Sequence, residues 1–417
     1  MQRRNFIKLA GVTAGTVGIS TILKATPVAH VPVAVAKLDA AASAPVLKRQ
    51  LLPSTITIAS VELLRYRNNF LVRVRSKEGA EGLAVSNNAH MVYLYPIVLH
   101  KIIPMFIGTD ARDLDKIVDD VYLKNSTYKL QGLALWVSLA SVEFAVLDML
   151  GRIAGKPVGE LIGKIETNKI AVYRANNYRG KSAQESIERI KENVAQSGAK
   201  ATKFKIGGRM SNNADFPPDR TEKLVPLMRK TFPDLVLYAD SNGSYTVDKA
   251  IEIGRLLEEH DISFYEEPTP FDWLEETRAV ADALDIPIAG GEQESSLHRF
   301  RWLIAHGALQ VVQPDLFYFG GMIRSMRVAR MARAAGIPCT PHISGSGLGY
   351  VYMLHFVSCI DNAGPFHEFK GINKKIPLSC ATSSLQSEDG IVTVPSGAGF
   401  GIDLDPEFVV KHKPVAV

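Results

Sequence analysis

Short runs in which apolar and polar residues alternate open the ordered part of the chain. Residues 57–62 and 70–75 alternate with a period of two and predict paired strands, and Glu78-Gly79 marks a turn into a third ending at Val85. Three helical patterns follow, the last over 133–153. Glu143 interrupts its apolar run, which predicts a helix buried in a core rather than a membrane span. Residues 54–165 thus predict an α+β unit.

From Lys169 the pattern changes. Apolar strand patterns at 169–174, 201–206, 235–240, 262–266, 286–291, 309–314, 337–341 and 363–368 alternate with longer helical segments. Eight such βα units predict an α/β fold, a TIM-type (β/α) barrel over 166–392, with chemistry at the C-terminal ends of its strands. Residues 37–53, rich in Ala and Pro, read as a linker, and 393–417 carry little helix signal and are expected to pack back on the first unit.

A chain of 417 residues with 46% hydrophobic and 22% charged residues can bury a large core in two domains. The net charge of +5 owes four of its positive charges to Arg3, Arg4, Lys8 and Lys24, so the remainder is near neutral. That is too little for the clustered basic footprint of a nucleic-acid binder, and no nucleic-acid partner is implied. Arg3-Arg4 before a mild apolar stretch at 9–23, then small residues including Ala34-Val35-Ala36, read as a twin-arginine export signal over 1–36. The expectation is a periplasmic or exported protein with no stable membrane span once mature. Cys339, Cys359 and Cys380 are too few and scattered for a disulfide framework, though a single pair stays open.

The polar residues gain meaning on the strand frame. Lys203 and Lys205 end the second strand and, two apart, face the same way. Asp240, Glu266 and Glu292 end the next three, each 26 residues from the last. Asp315, His342 and Glu368 end the sixth, seventh and eighth. Three carboxylates on adjacent strand ends form an oxygen cage suited to one Mg²⁺, which a substrate carboxylate could also chelate. Lys205 beside the cation is then a candidate base, Lys203 a partner for the carboxylate, and His342 with Asp315 a second acid–base unit. Glu368, if protonated in a crowded site, could donate to a substrate oxygen.

Lys203-Phe204-Lys205, Asp240-Ser241-Asn242, Glu266-Glu267-Pro268, Gly291-Glu292, Gln313-Pro314-Asp315, His342 and Glu368 together resemble the mandelate racemase subgroup of the enolase superfamily over roughly 56–400. The resemblance implies a barrel with an α+β capping domain and Mg²⁺ on the three carboxylates. It also implies acid–base roles for Lys205 and the His342–Asp315 dyad, and substrate contacts at Glu368 and Asn242. A homo-oligomer is common in the family. Arg174, Asn176 and Asn177 after the first strand, and Arg67, Asn68, Asn69, Asn87 and Asn88 in two capping loops, are further candidate substrate contacts. The segment 207–220 is longer than in the simplest members and reads as a lid or an oligomer contact; 344–349 reads as a plain Gly/Ser loop, with a phosphate cradle as the alternative.

The implied reaction removes the proton α to a carboxylate and passes through an enediolate. Dehydration of a sugar acid to a 2-keto-3-deoxy acid leads, with Lys205 or His342 as the base. Racemisation, epimerisation or cycloisomerisation of a hydroxy or anhydro-sugar acid is the alternative. From other classes, an exported sugar-acid binding protein would not need both bases, and a Schiff-base aldolase would not need the carboxylate ladder.

Overall fold

The computed structural model describes residues 33–345, 347–372 and 376–415. The expected export signal therefore lies outside the described residues except for 33–36. The small-residue triplet Ala34-Val35-Ala36 runs into the first turn of a helix, Val35–Ser43. This corrects the reading of 37–53 as a linker. Ala-rich sequence with one Leu favours helix until Pro45 stops it, and Leu38 and Ala42 are buried against the barrel helices Leu297–Ala305 and Met322–Ala335. Asp39 pairs with Arg301 at 2.8 Å and holds the same contact.

The capping domain is an antiparallel sheet of β1 (Ile58–Tyr66), β2 (Asn69–Ser76) and β3 (Glu81–Val85), extended at β1 by the C-terminal strand Lys413–Pro414. One face covers the helix Leu133–Ala154, whose residues 135–151 are all buried. Glu143 is part of that buried run. Its carboxyl oxygens accept the backbone N–H groups of Met322 (2.6 Å) and Ile323 (2.9 Å) and so cap the first turn of Met322–Ala335. A Cβ on Gly321, which sits at φ +102°, would collide with this carboxyl, so a glycine is required there.

Seven parallel strands form the barrel wall: β4 (Lys169–Ala175), β5 (Ala201–Lys205), β6 (Val236–Asp240), β7 (Phe264–Glu266), β8 (Ile288–Gly290), β9 (Val311–Val312) and β10 (His367–Glu368), with β10 paired back to β4. The seventh expected strand, 337–341, appears only as isolated parallel bridges, Cys339 to Val312 and Ala363, and His342 to Asp315. Pro338 and Pro341 lack the N–H groups that a continuous ladder there would use. Among the described residues a helix follows each of the first seven strand positions, but none directly follows β10. Instead Ile391–Thr393 pairs antiparallel with β4. The eighth unit of the expected barrel is thus a strand alone.

Alternation sorts each strand into two faces. Ala201, Tyr238 and Phe264 point inward, where Tyr238 and Phe264 stack with centroids 3.8 Å apart and plug the barrel below the site. Phe204, Leu237, Ala239 and Tyr265 point outward into the main core. All three cysteines are free.

Candidate active site

Sheet register builds the carboxylate cage. Lys205 stands opposite Asp240, and Asp240 opposite Glu266, so one row crosses three strands on the inward face. Glu292 lies past the end of β8, and Gly291 at φ +105° turns the chain there; a Cβ at that glycine would strike Phe300 at 2.5 Å. Carboxylate oxygens of Asp240, Glu266 and Glu292 lie within 4.8 Å of one another, all buried. Burial and the neighbouring charge of Asp240 push Glu266 up to about 8. Burial would also raise Asp240, but the ammonium groups of Lys205 and Lys203 overcome it and hold that carboxyl far below its usual range.

The two lysines reach into this cage from β5. Lys203 Nζ lies 2.5 Å from Glu266 Oε1 and 3.5 Å from both Asp240 and Glu368. Lys205 Nζ donates to Asp240 and, at 3.1 Å, to Asn242 Oδ1. Asn242 Nδ2 in turn donates to Glu267 Oε2 (3.2 Å) and Glu292 Oε1 (3.3 Å). Asn242 occupies a left-handed conformation, φ +45°, which asparagine tolerates better than most residues.

His342 stands across the cage. Its Nδ1 is 2.7 Å from Asp315 Oδ2, which leaves Nε2 facing Glu292 (3.3 Å) and Glu368 (4.0 Å). Burial would lower this imidazole, but Glu292, Asp315 and Glu368 outweigh it and raise it to about 9. Asp315 is fixed by backbone N–H groups of Phe317 and Tyr318 and by the Ser344 hydroxyl. The Ser344 hydroxyl also accepts from Asn87 of the capping domain at 3.0 Å.

Several expected roles change. Burial would raise Glu368, but Lys370 at 2.5 Å, Lys203 and His342 hold it well below the usual carboxylate range, so it is ionised and accepts rather than donates. Asn176, expected at the substrate, is not among the residues that line the cavity. It is buried, and its amide donates to Thr202 and to the carbonyls of Arg174 and Lys203. Arg174 turns away to the Lys370 carbonyl and Asn193. Asn87 is buried against Ser344. By contrast Arg67, Asn68, Asn69, Asn88 and Asn177 line a cavity of about 780 Å³ with Lys203, Lys205, Glu292, His342 and Glu368.

Sequence reading passed over four residues here. Lys370 follows β10 in irregular chain, and Arg209 lies in the long segment after β5; both line the cavity. Ser344 lies in a stretch read as plain loop. Glu267 is buried beside Glu266, its Oε1 without a partner, and burial with the charge of Glu292 raises it well above its usual range. The consecutive acids 266–267 were the available signal for Glu267. The rest had none, because their positions depend on how loops and cap fold back.

Three buried carboxylates converging from adjacent strands are a hard-oxygen donor set that fits a divalent cation of the Mg²⁺ type. The fold and site define a capped barrel with a buried carboxylate cage suited to a divalent cation and titratable side chains, lysine and histidine, on two of its sides. Residues 185–408 match the family described as enolase C-terminal domain-like, and residues 37–163 match the mandelate racemase/muconate lactonizing enzyme N-terminal domain. The chain belongs to this mandelate racemase-like branch of the enolase superfamily.

Among its relatives is arabinonate dehydratase of Saccharolobus solfataricus, 26% identical over 321 residues, 76% of this chain and 83% of that protein. D-galactarolactone cycloisomerase of Agrobacterium fabrum is 25% identical over 74% of this chain and 82% of its own length. A mandelate racemase/muconate lactonizing protein from Paracoccus denitrificans, solved in complex with magnesium, superposes with a TM-score of 0.77 at 24% identity, covering 87% of this chain and 100% of that one.

Proposed function

We propose that the chain is a hydro-lyase of the acid-sugar dehydratase type, converting a sugar acid to a 2-keto-3-deoxy acid. One observation carries this reading: two proton-transfer groups, Lys205 and His342, flank the same carboxylate cage from opposite sides. Lys205, in its neutral amine form, takes the α-proton of the substrate, and Lys203, as the ammonium, neutralises the substrate carboxylate. As the C–H bond breaks, the α–β double bond forms and the β-hydroxyl leaves as water with a proton from His342 Nε2. Asp315 holds the imidazole in the tautomer that presents Nε2. Ionised Glu368 accepts a hydrogen bond from a substrate hydroxyl. The resulting enol ketonises. A magnesium ion held by Asp240, Glu266 and Glu292 would supply the positive charge that offsets what builds up on the carboxylate.

Incubation with Mg²⁺ and a panel of aldonic and aldaric acids should yield a semicarbazide-reactive keto acid from at least one, and chelation should abolish it. A panel without any such product removes the dehydratase reading. The same opposed groups suit an epimerase. That second reading predicts solvent deuterium entering the α-carbon in heavy water with no net loss of water.

We further infer export by the twin-arginine route, supported by Arg3-Arg4 ahead of the apolar stretch. A reporter fused after residue 36 should reach the periplasm, and Arg3→Lys with Arg4→Lys should block it. Unchanged export of the double variant overturns this.

A further inference from the structure

We propose that the substrate carries a second anionic group, away from its reacting carboxylate, and that Arg67 and Arg209 receive it. The proposal rests on the sugar-acid reading above and narrows it to doubly anionic acids.

The cavity's cations divide into two sets. Lys203 is paired with Glu266, Lys205 with Asp240, Lys370 with Glu368 and His342 with Asp315. Arg67 and Arg209 line the same cavity, and among the described residues no carboxylate lies in ion-pair reach of either. Both are exposed. The only acidic side chains lining the cavity among the described residues are Glu292 and Glu368, both already engaged by cations. The remaining polar wall near the mouth is amide, including Asn68, Asn177 and Gln293, which reads hydroxyls but does not balance charge.

Placement matches a substrate chain running outward from the base. Arg209 Nη2 is 3.4 Å from Asn242 Oδ1, the atom that also accepts from Lys205 Nζ at 3.1 Å. Arg209 thus stands two hydrogen-bond steps from Lys205, and it is exposed where Lys205 is buried. Arg67 sits at the tip of the β1–β2 turn with φ +55°, a position that Gly or Asn fills more easily. There the residue lines the cavity from the cap, its guanidinium 5.3 Å from the centroid of the Tyr66 ring, a contact that leaves its N–H groups open to an anion. A sugar acid with one carboxylate spends its charge at Lys203 and the metal cage, leaving both guanidinium groups opposite neutral hydroxyls. A terminal carboxylate or phosphate gives each a forked, charge-assisted partner.

The test uses acids that differ at one end only: gluconate, glucarate and 6-phosphogluconate, with galactonate and galactarate as a second pair, all with Mg²⁺. Steady-state kcat/KM and calorimetric Kd are measured for each. The doubly anionic members should exceed their monoacids at least tenfold by one or both measures, and the glucarate and phosphogluconate arms show whether carboxylate or phosphate is preferred. Arg67→Met and Arg209→Met, checked by circular dichroism, should each shrink that ratio at least threefold. Equal ratios for mono- and doubly anionic acids, or a preference that both variants leave unchanged, overturn the proposal while a keto product leaves the dehydratase reading standing. If no acid is turned over, the binding ratio alone decides. If none binds, the sugar-acid reading falls and this proposal with it.

Discussion

Lys205 meets the carboxylate cage at Asp240 and His342 meets it at Glu292, yet a sheet holds one and a loop holds the other. Lys205 ends β5, a strand buried at every residue, and sits in register with Asp240 and Glu266. Its place follows from ladder hydrogen bonds and strand alternation alone. His342 belongs to a strand position reduced to single bridges. Its orientation comes from Asp315, which leans on Ser344, which accepts from Asn87 in the capping domain. The Lys205 side of the cage is therefore intrinsic to the barrel, and the His342 side is tuned by cap–barrel docking.

Lys205→Met tests the intrinsic side and should have the largest effect. With the base gone, kcat should fall by about 10³-fold or more, at the upper part of the usual range for a general base, with the fold unchanged by circular dichroism. Retention of a tenth of wild-type activity would remove Lys205 from the mechanism.

Next in size is Asp315→Asn, which strips His342 of its orienting carboxylate. Dehydration should drop by about 10²-fold. Exchange of the α-proton in heavy water, carried by Lys205, should persist. If exchange falls in parallel with dehydration, the two sides do not divide the labour as described.

The contrast also explains what could be read from the chain. Lys203, Lys205, Asp240 and Glu266 were legible because strand alternation and one-unit spacing translate directly into position. Glu368 was placed but its charge was misjudged: Lys370, two residues on in irregular chain, decides its protonation. Arg174 and Asn176 follow a strand end as substrate contacts would, but nearby carbonyls, with Thr202 and Asn193, claim them. The helix Val35–Ser43 was read as linker because its apolar face is only Leu38 and Ala42, too narrow for periodicity to register.

Asn87→Ala probes the cap's hold on the loop side. Loss of its bond to Ser344 should lower kcat about tenfold, equivalent to ~1.4 kcal/mol, with the affinity for Mg²⁺ unchanged in a calorimetric titration. A weakened metal affinity with normal kcat would place Asn87 in general stability instead.

The smallest effect concerns Glu143, which caps the helix that follows β9 and the Asp315 loop. Burial first, opposed by the N–H groups of Ile323 and Met322, raises this carboxyl to about 8. Its protonated form is thus favoured in the folded chain relative to the unfolded one, where an ordinary glutamate titrates near 4.3. Stability from this group is complete below the unfolded value and declines as pH rises through the folded value. Glu143→Gln cannot titrate and sets an amide against a backbone donor, so near pH 5 it should melt a few degrees below wild type. Between pH 5 and 9 the wild-type Tm should fall toward that of the variant. Melting curves that keep a constant gap across this window would show that the helix N-terminus holds Glu143 ionised throughout. The loop side of the barrel would then rest on a buried charge rather than on a buried acid.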